Sequence, residues 1–183
     1  MDNYNVEREK YREAGWKKLA EVVGGEAGEN LVAAMKDLYA VYTPDVIDWF
    51  VSLYDVKEGM YYYSASARDN EEREYKGETY LLRPDIESTC QALGFMETSG
   101  MADDFDRDLS KALPKWMQDD IANKIYSLQD PDGYFYNPQW GKKVTLGRRA
   151  RDLMWSNSIL RRFHREKKYE SISEHATNKP EEK

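Results

Sequence analysis

Hydrophobic side chains along this chain recur mostly at intervals of three and four residues, the spacing of one face of an α-helix. This pattern predicts helices and almost no β-strand. Gly24-Gly25 is typical of a helix end, and Thr43-Pro44-Asp45 of a helix start, with a capping hydroxyl before a first-turn proline. The predicted helices cover residues 4–23, 27–41, 44–54, 84–96, 114–128 and 148–163.

The segments between these helices are polar or aromatic. Residues 64–83 are polar and are predicted to form a long loop. The run Met60-Tyr61-Tyr62-Tyr63 has the composition of a short strand, although no partner strand is evident. From residue 166 the chain is charged and poor in apolar side chains. We therefore predict one helical domain over residues 1–165 and a charged, flexible tail over residues 166–183.

Two segments of the sequence resemble each other, over about residues 45–97 and 115–163. Each copy has Ser-Leu at a helix end, an acidic residue before Gly, then aromatic residues, and a second helix with Asp eight residues before Leu. The matching residues are Ser52-Leu53, Glu58-Gly59 and Met60-Tyr61-Tyr62 in one copy, and Ser127-Leu128, Asp132-Gly133 and Tyr134-Phe135-Tyr136 in the other. Because one helical hairpin cannot bury both of its faces, such repeats stack side by side.

The second copy resembles the repeat of the prenyltransferase and squalene-cyclase family. Residues 125–135 read Ile-Tyr-Ser-Leu-Gln-Asp-Pro-Asp-Gly-Tyr-Phe, similar to the family's Ser-Leu-Gln helix end, Pro-Asp-Gly turn and aromatic residue. Gln139-Trp140 is similar to the Gln-Trp motif of triterpene cyclases, at a different spacing from the glycine. The resemblance implies an all-α fold of the α/α-toroid type. With about half the helices of a full ring, the chain would be an incomplete α/α barrel, an open arc or a piece of a longer toroid.

The catalytic motifs of that family are not matched. Asp103-Asp104-Phe105-Asp106 has the wrong order for the Asp-x-Asp-Asp motif of protonating cyclases, and Arg107 stands where the magnesium-binding motif has its last Asp. We interpret this stretch as an acidic loop that caps the following long helix. Cys90 has no neighbouring histidine, because His164 and His175 lie near the end of the chain. We therefore predict no metal and no cofactor, and a small buried role for Cys90.

Aromatic and charged residues precede the second helix of each copy, so we expect both groups at one mouth of the arc. Aromatic rings stack on the apolar faces of sugars, and two carboxylates can cleave glycosides by acid–base chemistry. Asp85 and Glu87 are the candidate catalytic acids. Structural roles as helix caps and packing residues are the alternative. The candidate substrate-binding residues are Tyr62, Tyr63, Arg68, Tyr136, Trp140, Asp152 and Trp155.

The leading functional hypothesis is a carbohydrate-active or carbohydrate-binding toroid domain, similar to glycoside hydrolases or polysaccharide lyases. A terpenoid cyclase or prenyltransferase-like protein and a non-catalytic protein-binding helical module are alternatives, and enzymatic activity is left open. The expected ligand is a small molecule or oligosaccharide. If the chain is half a ring, Leu31, Met35 and Leu38 should be exposed unless a homodimer partner or the missing half-ring covers them.

Composition and charge limit the partners and the cellular location that we expect for this protein. The chain is 40% hydrophobic and 33% charged, which is typical of a folded protein. A net charge of −7 argues against nucleic acid or an anionic membrane as the main partner. With one cysteine, no signal-peptide pattern and no membrane-length apolar run, we expect a cytoplasmic protein. The last helix is locally basic at residues 148–151 and 161–168, which favours compensation of the helix dipole over an anionic partner.

Overall fold

The computed structural model of the protein describes residues 3–69, 72–75, 77–137 and 139–170. Within this part the chain is mainly α-helical, which confirms the predicted class at that level. The helices are α1 (Asn3–Val23), α2 (Gly25–Tyr39), α3 (Pro44–Ser52), α4 (Ala65–Arg68), α5 (Ile86–Thr98), α6 (Leu109–Ala112), α7 (Lys115–Leu128) and α8 (Leu146–Arg162). The strands are β1 (Tyr54–Asp55), β2 (Met60–Tyr61), β3 (Glu72–Tyr75) and β4 (Glu78–Leu81). No helix in the described residues is both long and apolar enough to cross a membrane.

The chain divides into two compact units, an N-terminal unit of residues 1–47 and a C-terminal unit of residues 48–183. In the N-terminal unit α1 and α2 pack against each other. Lys36 of α2 forms an ion pair with Glu13 of α1 at 2.9 Å, and the rings of Trp16 and Tyr39 lie 6.0 Å apart. Gly28 is the one buried residue among those whose burial is described in this unit.

The hydrophobic core of the C-terminal unit lies among α5, α7, α8 and the aromatic segments that precede α5 and α8. Helices α5 and α8 run parallel, because Glu87 and Arg148 pair at their N-terminal ends and Glu97 and Arg162 at their C-terminal ends. The side chains buried most completely include Met60, Ile86, Leu93, Ile121, Ile125, Phe135, Ile159 and Leu160. Cys90 is also buried, as predicted.

The two sequence copies share the same local backbone geometry. In the first, Tyr62 N–H donates to the carbonyl of Leu53 at 2.9 Å; in the second, Tyr136 N–H donates to the carbonyl of Leu128 at 3.0 Å. Each turn contains a glycine at positive φ, Gly59 at 66° and Gly133 at 85°, a conformation that L side chains adopt only with strain. An antiparallel pairing closes each turn, Tyr54 with Tyr61 and Gln129 with Phe135. The second helices of the two copies, α5 and α8, then pack side by side.

The prediction of a long loop over residues 64–83 was wrong. This segment contains α4 and an antiparallel hairpin in which Glu72 pairs with Leu81 and Tyr75 with Glu78. The hairpin was missed because four of its eight strand residues are charged, so the strands lack the alternation of apolar and polar residues that marks a half-buried strand. The partner strand of Met60–Tyr61 is Tyr54–Asp55, which is too short for any alternation to be recognised.

The acidic stretch before α7 does not cap that helix as expected. Residues 103–105 form a 3₁₀ turn, and Asp108 caps the short helix α6 by accepting a hydrogen bond from Ser110 N–H. Pro114 occupies the N-cap of α7, where a proline side chain can accept no hydrogen bond. Gln118 instead ties α7 to this segment, since its amide donates to the carbonyls of Ser110 and Leu113 at 2.8 and 2.7 Å.

The first residues of the predicted tail are hydrogen-bonded to the helical core. Gln129, at the end of α7, accepts from the backbone N–H groups of Lys168 and Tyr169 and donates to the carbonyl of Tyr169. The hydroxyl of Tyr126 donates to the carbonyl of Glu166 at 2.8 Å. The remainder of the predicted tail, residues 171–183, lies outside the described residues.

Candidate functional site

The N-terminus of α5 positions both candidate catalytic acids. Asp85 is the N-cap of the helix, and its Oδ1 accepts a hydrogen bond from Ser88 N–H at 2.7 Å. Its backbone N–H donates to the carbonyl of Tyr61, while Thr89 Oγ1 accepts from Tyr61 N–H at 3.0 Å. These bonds join β2 to α5. Asp85 therefore has a clear structural role, and Glu87 lies in the first turn, where the helix dipole favours a carboxylate.

Glu87 belongs to a polar group that connects α5 to α8, here called the Arg148 cluster: Glu87, Arg148, Asp152 and Trp155. Arg148 donates from Nη1 to Glu87 Oε2 at 2.9 Å and from Nε to Asp152 Oδ1 at 3.0 Å. The guanidinium also lies 5.4 Å from the ring centroid of Trp155. Three of the predicted site residues thus meet around an arginine that lies 61 positions from Glu87 in the sequence.

Asp152 is the most deeply buried member of this cluster, with 1% of its surface exposed. Burial raises the pKa of its carboxyl group, the ion pair with Arg148 opposes that shift, and the charges of Asp85 and Glu87 add to it. Its Oδ2 atom and the hydroxyl of Ser156, one turn further along α8, are buried without a hydrogen-bond partner in the described structure. Because it is inaccessible, Asp152 is placed to support Arg148 rather than to contact a ligand.

An aromatic groove of about 180 Å³ lies beside this cluster, between α3, the aromatic run after β1 and α5. Phe50 forms its base, stacked on Tyr61 at 5.3 Å and close to Phe95 at 4.5 Å between ring centroids. At its edges, Trp49 is 49% exposed and Tyr63 is 70% exposed. The lining residues are Trp49, Phe50, Leu53, Tyr61, Tyr62, Tyr63, Ser88, Gln91, Ala92 and Phe95.

Gln91 connects the groove to the Arg148 cluster. It lines the groove, and its amide Nε2 lies 3.4 Å from Glu87 Oε1, to which it donates a long hydrogen bond. Since Glu87 is held in turn by Arg148, a chain of polar contacts runs from the groove to the buried carboxylate of Asp152. Glu87, the residue that Gln91 contacts, is thus held by a contact between two helices.

The two tyrosines that follow the repeated turns are tied down through their hydroxyl groups. Tyr62 donates to Asp55 at 3.0 Å, and Tyr136 donates to Asp132 at 2.6 Å. Burial raises the pKa of Tyr62, with a further contribution from Asp55. Burial and the bond to Asp132 raise the pKa of Tyr136 to about 12. Both phenols therefore act as neutral donors to an acidic turn residue.

The other predicted site residues lie elsewhere in the C-terminal unit. Arg68 binds Asp69 and the hydroxyl of Ser52, which attaches α4 to the end of α3. Trp140 packs edge-on against Tyr80 of β4, with ring centroids 5.8 Å apart. Tyr136 lies near Lys142 and Arg149. None of Arg68, Tyr136 and Trp140 lines the aromatic groove, so the predicted set divides among separate places.

Sequence reasoning missed several residues of the groove, chiefly Trp49, Gln91 and Phe95. Trp49 and Phe50 are neighbours on α3 and point in directions about 100° apart, so only one of them could face the core. That difference was a signal for an exposed tryptophan beside a buried phenylalanine.

Within the residues that the structure describes, no group of three or more His, Cys, Asp or Glu side chains could hold a metal ion.

Comparison with known proteins adds no further information, because no family model, curated protein or solved structure matches this chain. A functional proposal therefore depends on the geometry of the groove, the Arg148 cluster and the repeated turns.

Proposed function

We propose that the C-terminal unit binds carbohydrate in the aromatic groove. The observation that carries this proposal is the pair of exposed rings, Trp49 and Tyr63, at the edges of a groove whose wall contains Gln91. Aromatic faces stack on the C–H faces of sugar rings, and an amide can both donate to and accept from sugar hydroxyls. A stacking surface beside an amide therefore suits a sugar ligand.

The size of the groove supports stacking rather than enclosure. Pockets that enclose a whole small molecule typically measure roughly 300–1,000 Å³. The aromatic groove measures about 180 Å³, which suits one or two sugar rings of a longer chain that extends into solvent. A terpenoid or prenyl substrate would favour a deeper apolar pocket, so the groove supports that alternative less well.

Binding is favoured over hydrolysis or lyase chemistry because both candidate acids make structural contacts. Asp85 caps α5, and Glu87 is in an ion pair with Arg148. A general acid must hold a proton and reach the glycosidic oxygen. We therefore propose roles for Asp85 and Glu87 in organising the groove, with Glu87 orienting Gln91, and treat catalysis by them as a separate hypothesis.

We also propose that the C-terminal unit is part of an α/α-toroid of the prenyltransferase and squalene-cyclase type. Two observations support this architecture: the matching backbone geometry of the two turns, and the parallel packing of α5 and α8, the second helices of the copies. In such an arrangement consecutive second helices lie next to each other around the ring. The aromatic groove would then lie at one end of the inner helical layer.

A non-catalytic protein-binding module is a second candidate, favoured by apolar side chains of α2. Leu31 is 39% exposed and Leu38 is 58% exposed, as expected for an incomplete ring, while Met35 is half-buried. A homodimer partner or a further part of a longer toroid would cover such side chains. This candidate predicts concentration-dependent self-association that Leu38→Ala weakens, and it does not require a ligand in the groove.

The proposed function is tested by titrating the purified chain with a panel of neutral oligosaccharides in isothermal titration calorimetry. We expect Trp49→Ala and Tyr63→Ala each to weaken binding about 5- to 30-fold, since a lost aromatic stack costs on the order of 1–2 kcal/mol. Trp116→Ala is the matched control, because Trp116 is also half exposed at 52% and does not line the groove. Equal weakening by the control, or no binding of any sugar by the wild type, would contradict the proposal. A reducing-end assay on the same mixtures detects hydrolysis.

A further inference from the structure

A second cavity, of about 520 Å³, lies at the C-terminal end of α8. Its volume falls within the range of roughly 300–1,000 Å³ that is typical of small-molecule sites. We call it the basic cavity, because four of its lining residues are cationic or can become so. The lining residues are Asn157, Leu160, Arg161, His164, Arg165, Glu166 and Lys167.

Two carboxylates near the basic cavity, Asp108 and Asp119, contact three cations between them. Asp119 pairs with both Lys115 and Arg165, and those two cations hold the pKa of its carboxyl group below the ordinary value. Asp108 contacts Lys111 and the imidazole of His164, each at 3.4 Å. The lining itself holds three cations, Arg161, Arg165 and Lys167, and one carboxylate, Glu166. The lining therefore carries a positive excess, although the whole chain carries a net charge of −7.

Arg161 is the cation most available to a ligand. Its side chain is exposed, and in the part of the chain that the structure describes its guanidinium has no hydrogen bond or ion pair. The neighbouring Arg162 differs, since its guanidinium donates twice to the carboxylate of Glu97, with both bonds at 2.9 Å. Arginine presents a planar set of donors that matches phosphate, sulfate and carboxylate groups.

The wall of the basic cavity is held in place by backbone hydrogen bonds. His164 adopts a left-handed conformation with φ of 53°, and its N–H donates to the carbonyl of Arg161 at 3.0 Å. The N–H of Arg165 donates to the carbonyl of Leu160, also at 3.0 Å. These bonds fold residues 164–167 back beside the last turn of α8, and Gln129 fixes the segment that follows through Lys168 and Tyr169.

We propose that the basic cavity binds a small anion that carries two or more phosphate, sulfate or carboxylate groups. The C-terminal end of a helix carries a partial charge of about −0.5, which repels an anion. Arg161 and Lys167 each supply a whole positive charge, and Arg165 adds one that it shares with Asp119. Together they outweigh the helix dipole and the single lining carboxylate, Glu166. The site is separate from the aromatic groove, since Arg148, which contacts the groove's polar side through Glu87, lies at the opposite end of α8.

The test is calorimetric titration of the full chain with three probes: pyrophosphate, a sulfated hexasaccharide and a galacturonic acid hexamer, each at low and moderate salt. We expect at least one probe to bind, with Arg161→Gln and Lys167→Gln each weakening its affinity 5-fold or more. Arg151→Gln is the matched control, because it removes the same charge from the other end of α8 and lies outside the cavity. Binding of pyrophosphate alone would assign a phosphate ligand, and binding of a hexasaccharide alone would assign an acidic sugar.

Three results would overturn the inference: no probe binds the wild type, Arg161→Gln binds as well as the wild type, or Arg151→Gln weakens binding as much as Arg161→Gln. The last result would show general attraction to charge rather than a site. Neutral oligosaccharide binding in the aromatic groove should be unchanged in Arg161→Gln, so the two proposals fail independently.

Discussion

At the scale of single residues, carboxylates in this protein differ according to their hydrogen bonds. Asp108 accepts from both the backbone N–H and the hydroxyl of Ser110, at 3.0 and 2.6 Å. The hydroxyl bond is the largest cause of a lowered pKa, which falls to about 2, and Lys111 lowers it further. The pKa of Asp152 is instead raised, because the effect of burial outweighs that of its arginine partner. The sequence places both aspartates near helix starts without distinguishing these environments.

Asp108 yields a prediction about pH. Because its pKa in the folded state lies below the ordinary value of 3.8, its ionised form stabilises the fold. This contribution is fully present above about pH 4 and is lost as the pH falls through about 2. We expect Asp108→Asn to be less stable than the wild type at pH 5, with the difference shrinking towards pH 2, in urea unfolding followed by circular dichroism. Asp48→Asn, an exposed aspartate outside this turn, controls for net charge. A difference that stays constant across this pH range would contradict the assignment.

At the scale of elements, the close approach of α1 and α2 depends on a glycine. A Cβ atom at Gly28 would lie against the carbonyl oxygen of Ala20, well inside van der Waals contact. Gly15, in the middle of α1, has nothing within 4 Å of the same atom. The sequence pattern predicted both helices but could not tell these glycines apart, because the difference arises from the neighbouring helix.

Replacing each of these two glycines with alanine should change the stability of the α1–α2 hairpin in opposite directions. Gly28→Ala should lower the free energy of opening of the α1–α2 hairpin by about 1–3 kcal/mol, since the helices must separate to admit the methyl group. Gly15→Ala should raise it by about 0.5–1 kcal/mol, because alanine favours the helix over glycine. Hydrogen exchange of the α1 and α2 amides measures both changes. Exchange that slows in Gly28→Ala would show that the two helices do not pack as described.

At the scale of the whole molecule, buried apolar side chains are concentrated in one unit. The core cluster begins at Phe50 and ends at Phe163, so it lies entirely in the C-terminal unit. The predicted repeats, about 45–97 and 115–163, lie in that unit except for residues 45–47. Since apolar burial is the main favourable term in folding, the C-terminal unit contains most of the stability of the described chain.

The distribution of buried side chains predicts that residues 48–183 fold without the N-terminal unit. We expect this fragment to show a cooperative thermal transition within about 5 °C of the main transition of the full chain, because few buried contacts are lost. Differential scanning calorimetry of both proteins makes the comparison. A fragment that lacks a cooperative transition would show that the N-terminal unit contributes to the core.

The sequence by itself determined the six longer helices and the repeated turns of this protein, because helical periodicity, helix caps and glycine turns depend on residues close together in the chain. It also indicated Glu87, Asp152 and Trp155 as residues of interest. Only the tertiary structure decided that Arg148 joins them, that Trp49, Gln91 and Phe95 form a groove, and that Arg161 and Lys167 line a cavity. These arrangements result from packing between segments far apart in sequence, and a local sequence pattern does not specify which helices pack against each other.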